Sequence, residues 1–237
     1  MSARTIIAIL ISHNSDSMAL AGRWHRLMRV LFACLLLSAM AVELAAQDKL
    51  KETPYYPLKV GTTWHYRAGD SKFTIRVVRH EKVGDAFCAL LETTRDGKVV
   101  GSEHLTVAAD GVYRYDLAQR IRSISDGKKT VADVFGSFRP PMLLLKLPPK
   151  KGDSWKVDSQ SDGKTFRGRF QVAEQEITVP AGTYKTFRVT SQDLEVYSLK
   201  PILTTFFAAG VGMVKQIIEM GDAKIEIELE KFETGGK

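Results

Sequence analysis

The residues of this chain that could do chemistry are few and scattered. Past residue 46 there are three histidines, His65, His80 and His104, and one cysteine, Cys88. A metal site needs donors that converge, as in a His-x-Glu-x-x-His helix or a set of paired cysteines, and no two of these four residues have such spacing. Cys88 lies in the apolar run Ala86-Phe87-Cys88-Ala89-Leu90-Leu91, with no base or electropositive neighbour in the sequence. It reads as a small buried hydrophobe rather than a nucleophile. No Gly-x-Ser-x-Gly elbow occurs, and Gly168 and Gly182 precede no helix that would cradle a phosphate. Gly210-Val211-Gly212 reads as a turn or bulge rather than a binding loop. Acidic residues are plentiful but fall in turns or on the outward face of strands, so no acid–base pair is selected. The residues therefore point away from an enzyme, with no catalytic, metal or cofactor-binding set.

The elements that must position any site are strands. Phe73, Ile75 and Val77 share a face, with Thr74 and Arg76 on the other; Phe166, Phe170 and Val172 alternate with Arg167, Arg169 and Gln171; Phe187 and Val189 flank Arg188. Most regular is the last segment, where Ile225, Ile227 and Leu229 alternate with Lys224, Glu226, Glu228 and Glu230. Period two of this kind means one wet face and one buried face. Turn signals such as Gly69-Asp70, Gly84-Asp85, Asp96-Gly97, Asp110-Gly111, Asp126-Gly127, Asp162-Gly163 and Gly221-Asp222 separate the strands. The expected fold is all-β: a single antiparallel, highly curved sheet or open barrel of about ten strands. The best helical candidate, Val131 to Phe138, is short, β-branched and followed by Pro140-Pro141, and is expected to form an irregular or one- to two-turn connection.

Two halves share landmarks. Gly61-Thr62-Thr63-Trp64 resembles Gly152-Asp153-Ser154-Trp155, and Val107-Ala108-Ala109-Asp110-Gly111 resembles Phe207-Ala208-Ala209-Gly210-Val211, in the same order. The expectation is a duplicated β-meander, with pseudo-repeats over about 55–120 and 145–220, inside a single β domain of residues 47–237.

Residues 1–46 read as an N-terminal extension and a signal peptide. Arg23, Arg26 and Arg29 precede the apolar run Val30 to Val42, and Leu44-Ala45-Ala46 offers a cleavage site before Gln47. The run is shorter than the ~20 residues of a membrane-spanning helix. Met28, with Met18 second, is the expected initiator. Cys34 follows Leu31-Phe32-Ala33, a poor lipobox because of bulky Phe32. Removing residues 1–46 takes away four basic residues (Arg4, Arg23, Arg26, Arg29) and two acidic ones (Asp16, Glu43), which lowers the net charge from +7 to +5. The remaining basic residues are dispersed, and the densest group, Lys146 to Lys151, sits among prolines, so nucleic acid is not an expected partner. The protein is expected to be exported, to the periplasm or the cell exterior.

Three motifs carry a resemblance: Tyr55-Tyr56-Pro57-Leu58-Lys59-Val60-Gly61-Thr62-Thr63-Trp64-His65-Tyr66, Val179-Pro180-Ala181-Gly182-Thr183-Tyr184-Lys185, and Phe206-Phe207-Ala208-Ala209-Gly210-Val211-Gly212-Met213-Val214-Lys215. Together they look like a group of exported bacterial β-rich proteins of unknown function. In pattern that group is similar to periplasmic curved-sheet proteins such as the lipoprotein carrier LolA, an open barrel around an apolar hollow. The resemblance implies a curved sheet around an apolar hollow, although the helices of LolA have no clear counterpart in this sequence.

No long amphipathic helix is available to cover the apolar face, so the sheet must close on itself. Such a hollow suits an apolar or lipid-like ligand, with Phe73, Ile75, Phe170 and Phe187 as candidate lining residues. The alternatives are a cell-envelope scaffold that engages an envelope protein partner without a small ligand, and an enzyme whose site is assembled from residues far apart in sequence.

Overall fold

A computed structural model describes residues 50–125, 128–196 and 199–236, giving the backbone alone for 119–135. The signal peptide, the initiator, the cleavage site and Cys34 lie outside the described residues. Twelve strands follow one another: β1 (Thr63–Ala68), β2 (Ser71–Val83), β3 (Ala86–Arg95), β4 (Lys98–Val107), β5 (Gly111–Ser125), β6 (Lys128–Lys146), β7 (Ser154–Ser161), β8 (Lys164–Val179), β9 (Gly182–Val196), β10 (Ile202–Ala208), β11 (Gly212–Met220) and β12 (Ala223–Glu233). Each pairs antiparallel with its neighbours in sequence, and β12 returns to β1 with Trp64 opposite Phe232 and Tyr66 opposite Leu229. The sheet is thus one closed barrel.

The all-β, antiparallel, single-sheet expectation holds, with two differences of detail. The barrel is closed rather than open, and it has twelve strands rather than about ten. The segment expected as an irregular connection, Val131 to Phe138, is instead the middle of β6, paired with β5 from Ser125↔Lys128 back to Gly111↔Lys146. β-branched Val131 and Val134 suit a strand. Pro140 and Pro141 are tolerated because they fall where β6 meets β7, and that ladder has one registered pair among the described residues, Arg139↔Gln160. Counting strands from alternation alone fails where prolines and bulges break the period.

The turns behave as their chemistry demands. Asp96-Gly97 and Asp162-Gly163 both carry two successive positive φ angles (49° and 72° in each), the backbone of a tight two-residue hairpin. Gly111 of Asp110-Gly111 has no such angle. It is needed for space, because a Cβ there would collide with Leu143 Cδ1 and the Leu145 carbonyl.

Apolar residues point into the barrel and charges point out. Trp64, Tyr66, Val77, Leu91, Leu105, Val112, Leu145 and Leu229 are almost wholly buried. On the outside Lys215 bridges Glu226 and Glu228 (2.9 and 3.0 Å), and Arg67 meets Glu228 at 2.8 Å. This is the reverse of a lipid-facing barrel, whose outer surface is an apolar band.

The two ends differ. Residues 50–62 cap the end where β1 begins: Leu50, Tyr56 and Leu58 are buried, Gly210 N–H donates to the Pro54 carbonyl (2.7 Å), and His80 Nε2 donates to the Leu58 carbonyl (2.6 Å). Burial falls towards the other end. Leu229 is fully buried while Ile227 and Ile225 are half-buried, and Val77 is fully buried while Ile75 and Phe73 are half-buried. Around β12, β1 and β2 the interior is therefore packed tight beneath the cap and looser towards the turns that follow β1 and β11.

Candidate functional site

Beneath the cap, on the side of the barrel formed by β8 to β11, lies a cavity of about 150 Å³. Its walls are mostly apolar: Phe166 and Phe170 from β8, Leu194 and Val196 from β9, Phe207 from β10 and Met213 from β11. Val196 and Leu203, half-buried at the β9–β10 end, stand where it approaches solvent. The opposite wall is β6, through Met142, Leu143 and Leu144. A cavity of this volume with apolar walls is about the size that encloses a benzene molecule.

A bulge decides part of that wall. From Val189 onward the buried residues of β9 are Val189, Ser191 and then Leu194, so the odd positions give way to an even one. The change falls at Asp193, a non-glycine residue at φ 51°, where the β8–β9 register shifts between Arg167 and Arg169. The extra residue turns Leu194 and Val196 inward. Gly168 makes room, since a Cβ there would sit 2.9 Å from Leu194 Cα.

Polar groups enter this apolar space at one place. Glu103 and Arg114 sit on the buried faces of β4 and β5, and both Arg114 Nε and NH2 lie 2.7 Å from Glu103 Oε2. Arg114 lines the cavity, and among the described residues Glu103 is the sole hydrogen-bond partner of its guanidinium. Tyr56 of the cap also lines the cavity, its ring packed on Trp64 and Phe207 with centroids 5.8 and 6.1 Å away. Its side chain is buried, and among the described residues its hydroxyl has no hydrogen-bond partner. Burial, and then the Glu103 carboxylate, push the Tyr56 phenol far above its ordinary range, against a smaller opposing effect of Arg114. The phenol is therefore a standing donor. Gln216, which donates to Thr205 Oγ1 at 3.2 Å, completes the polar lining.

Of the four residues expected to line a hollow, Phe170 does, stacked on Trp155 at 5.6 Å and 19°. Phe73 stacks on Tyr66 (5.5 Å, 29°) on the far side of the barrel, and Ile75 stands opposite Trp64 in the β1–β2 ladder. Phe187 packs edge-on against Tyr55 and borders a shallow surface depression with Glu174 and Lys185. Sequence reasoning missed Arg114, Glu103 and Tyr56. A signal for the first two exists: Glu103 is in phase with Leu105 and Val107, and Arg114 with Val112, so each is a charge on the apolar face of a strand. Leu194 and Val196 have no such signal, because the bulge reverses their phase.

The histidines belong to the outer surface and the cap. His65 Nε2 meets Glu233 at 3.1 Å. His104 lies between two carboxylates, Nδ1 2.8 Å from Asp116 and Nε2 2.7 Å from Glu81, which also receives Arg79. Burial would lower the pKa of His104, but its hydrogen bonds to Glu81 and Asp116, with the charge of those carboxylates, outweigh it and raise the value. His104 separates the two carboxylates, and among the described residues no group of three donors is placed to hold a metal. The Cys88 thiol is fully buried, and burial pushes its pKa up to about 12. It is a protonated apolar filler at neutral pH.

Neither protein-family models nor curated proteins gave a match to this chain. Among solved structures it is similar to a candidate lipoprotein from Parabacteroides distasonis, at 14% identity and TM-score 0.45. It is also similar to a candidate exported protein with a YmcC-like fold from Bacteroides fragilis, at 13% identity and TM-score 0.43. Each alignment covers 77% of this chain and 100% of the other.

Proposed function

We propose that the protein is an exported, non-enzymatic binding protein that holds a small apolar ligand in the cavity between β6 and β8–β11. The observation that carries this reading is the cavity itself: about 150 Å³, with a wall of Phe, Leu, Val and Met side chains. Cores are packed to crystal density, and a void of this size left unfilled is costly. Burying a ring of apolar atoms there recovers that loss at about 25 cal/mol per Å². The volume suits one ring or a short chain rather than a whole lipid, since sites for drug-sized ligands run to ~300 Å³ and more. A lipid would place only its tail end inside, with the remainder leaving past Val196 and Leu203. Export rests on the charged, apolar and small-residue pattern of residues 23–46. The test is a titration of the mature protein with toluene, followed by the methyl resonances of Leu194, Val196 and Met213. Saturable shifts confined to the cavity support the reading, and their absence refutes it.

One observation favours a second reading, an envelope interaction protein. Leu199, Ile202 and Met220 are exposed large apolar side chains at the same end of the barrel, Ile202 pairing with Glu219 beside Met220. Clustered exposed apolar groups mark contact surfaces. A partner held there would be lost on substituting Ile202 by Lys, with toluene binding unchanged.

A further inference from the structure

The polar corner of the cavity carries information about the ligand's chemistry. Glu103 Oε2 accepts from Arg114 Nε, and NH2 lies 2.7 Å from the same oxygen as an ion pair. Of the five guanidinium donors the two on NH1 have no hydrogen-bond partner among the described residues. Tyr56 lines the same cavity, and its hydroxyl has no hydrogen-bond partner among the described residues. An occupant that fills the cavity takes these donors out of water, and a donor buried without an acceptor costs about 1–3 kcal/mol. The two donors therefore call for an acceptor atom on the occupant.

The charge balance then says what kind of acceptor. Glu103 already neutralises Arg114, so a ligand carboxylate or phosphate would add an uncompensated negative charge to a desolvated corner. The field at Tyr56 has the same sign, because Glu103 acts on the phenol more strongly than Arg114 does. A neutral carbonyl has two lone pairs and can accept from both donors without adding charge. Resting on the binding reading above, we propose that the cavity selects a small, neutral, apolar molecule bearing a carbonyl-type acceptor. Tyr56 and the free edge of Arg114 receive that acceptor, and the cavity rejects the corresponding carboxylate.

Three probes of similar size separate the claims: methylenecyclohexane, cyclohexanone and cyclopentanecarboxylate. The first two differ in replacing a CH2 group by the carbonyl oxygen. Affinities would be measured by NMR titration for the mature protein and for Tyr56→Phe, Arg114→Met and Glu103→Gln. Cyclohexanone should bind the wild type and weaken about tenfold in Tyr56→Phe and in Arg114→Met, as expected for a lost hydrogen bond to a buried donor. Methylenecyclohexane should bind all of these alike. The carboxylate should bind measurably only to Glu103→Gln, where the charge of Arg114 is no longer compensated by a neighbouring carboxylate. Tyr56→Phe changes one atom and keeps the ring packing, so the test stands even if an Arg114 or Glu103 variant does not fold. If methylenecyclohexane binds but cyclohexanone is indifferent to Tyr56→Phe, the acceptor claim is overturned and the apolar site survives. Wild-type protein binding the carboxylate as tightly as the ketone also overturns it. If neither neutral probe binds, the binding reading itself fails.

Discussion

Trp155 does a job that the β6–β7 ladder leaves undone, and its replacement has a calculable cost. With one registered pair between these strands, backbone groups on the facing side of β6 need other partners. Trp155 Nε1 supplies one, donating to the Leu143 carbonyl at 3.1 Å while the indole stacks on Phe170. Trp155→Phe keeps a ring on Phe170 but removes this donor. The orphaned carbonyl costs about 1–1.5 kcal/mol. The lost part of the indole, roughly 40 Å² of apolar surface, costs about 1 kcal/mol more. The expected destabilisation is therefore about 2–2.5 kcal/mol. Trp155→Ala also forfeits the stack and opens a cavity, and should cost about 4–5 kcal/mol. Urea unfolding followed by far-ultraviolet circular dichroism measures both, with an unchanged m-value as the check that the unfolded state is the same. Amide exchange at residues 142–146 should accelerate in Trp155→Phe. A loss below 0.5 kcal/mol with unaltered exchange would refute the role of the indole as the pin of this seam. Trp64, donating to the Val211 carbonyl at 2.7 Å at the start of β1, is the natural comparison. If the two halves are copies of one meander, Trp64→Phe should cost a similar amount.

Tyr66 donates to the Met213 carbonyl at 2.7 Å in the fully buried core, so Tyr66→Phe should lose about 1–3 kcal/mol in the same urea assay. Gly111→Ala should destabilise by about 1–3 kcal/mol, since the new methyl group must displace Leu143 from the cavity wall, and Gly111→Ser should be no better. The raised pKa of His104 means that its contribution to stability is full below its unfolded value of 6.5 and fades as pH rises through the folded value. Glu81, held low by Arg79 and then His104, contributes above its unfolded value of 4.5 and fades as pH falls through its folded value. The wild type should therefore gain most over His104→Gln between about pH 4.5 and 6.5, in unfolding curves measured across that range. Expressed with residues 1–46 in a Gram-negative host, the protein should be recovered outside the cytoplasm with an amino terminus within a few residues of Gln47, read by terminal peptide mass. A stable full-length cytoplasmic form would contradict export.

Period-two alternation with turn residues between is a local property, and it was legible. The burial of Leu229 against the exposed side of Glu228, or the paired positive φ angles at Asp162-Gly163, follow from side-chain chemistry at neighbouring positions. All-β class and antiparallel order were therefore in the sequence. Closure could be argued from the apolar face with no helix to cover it, but the register by which β12 meets β1 across more than 160 residues could not, because nothing local encodes it. The same holds for the strand identity of 131–138: its prolines argue against a strand until one sees that they face a nearly unpaired seam. The cavity is the most tertiary feature of all. Phe170 could be placed on an inward face from sequence, but Leu194 is there only because a bulge at Asp193 inverts the phase and Gly168 leaves space for it. Arg114 and Glu103 show as charges on an apolar face, yet only the three-dimensional pairing makes them a neutral unit with one donor edge to spare. Hydrophobic patterning chooses which side of a strand is buried; where the packed interior leaves a space, and which polar atoms look into it, is settled by contacts between residues far apart in the chain.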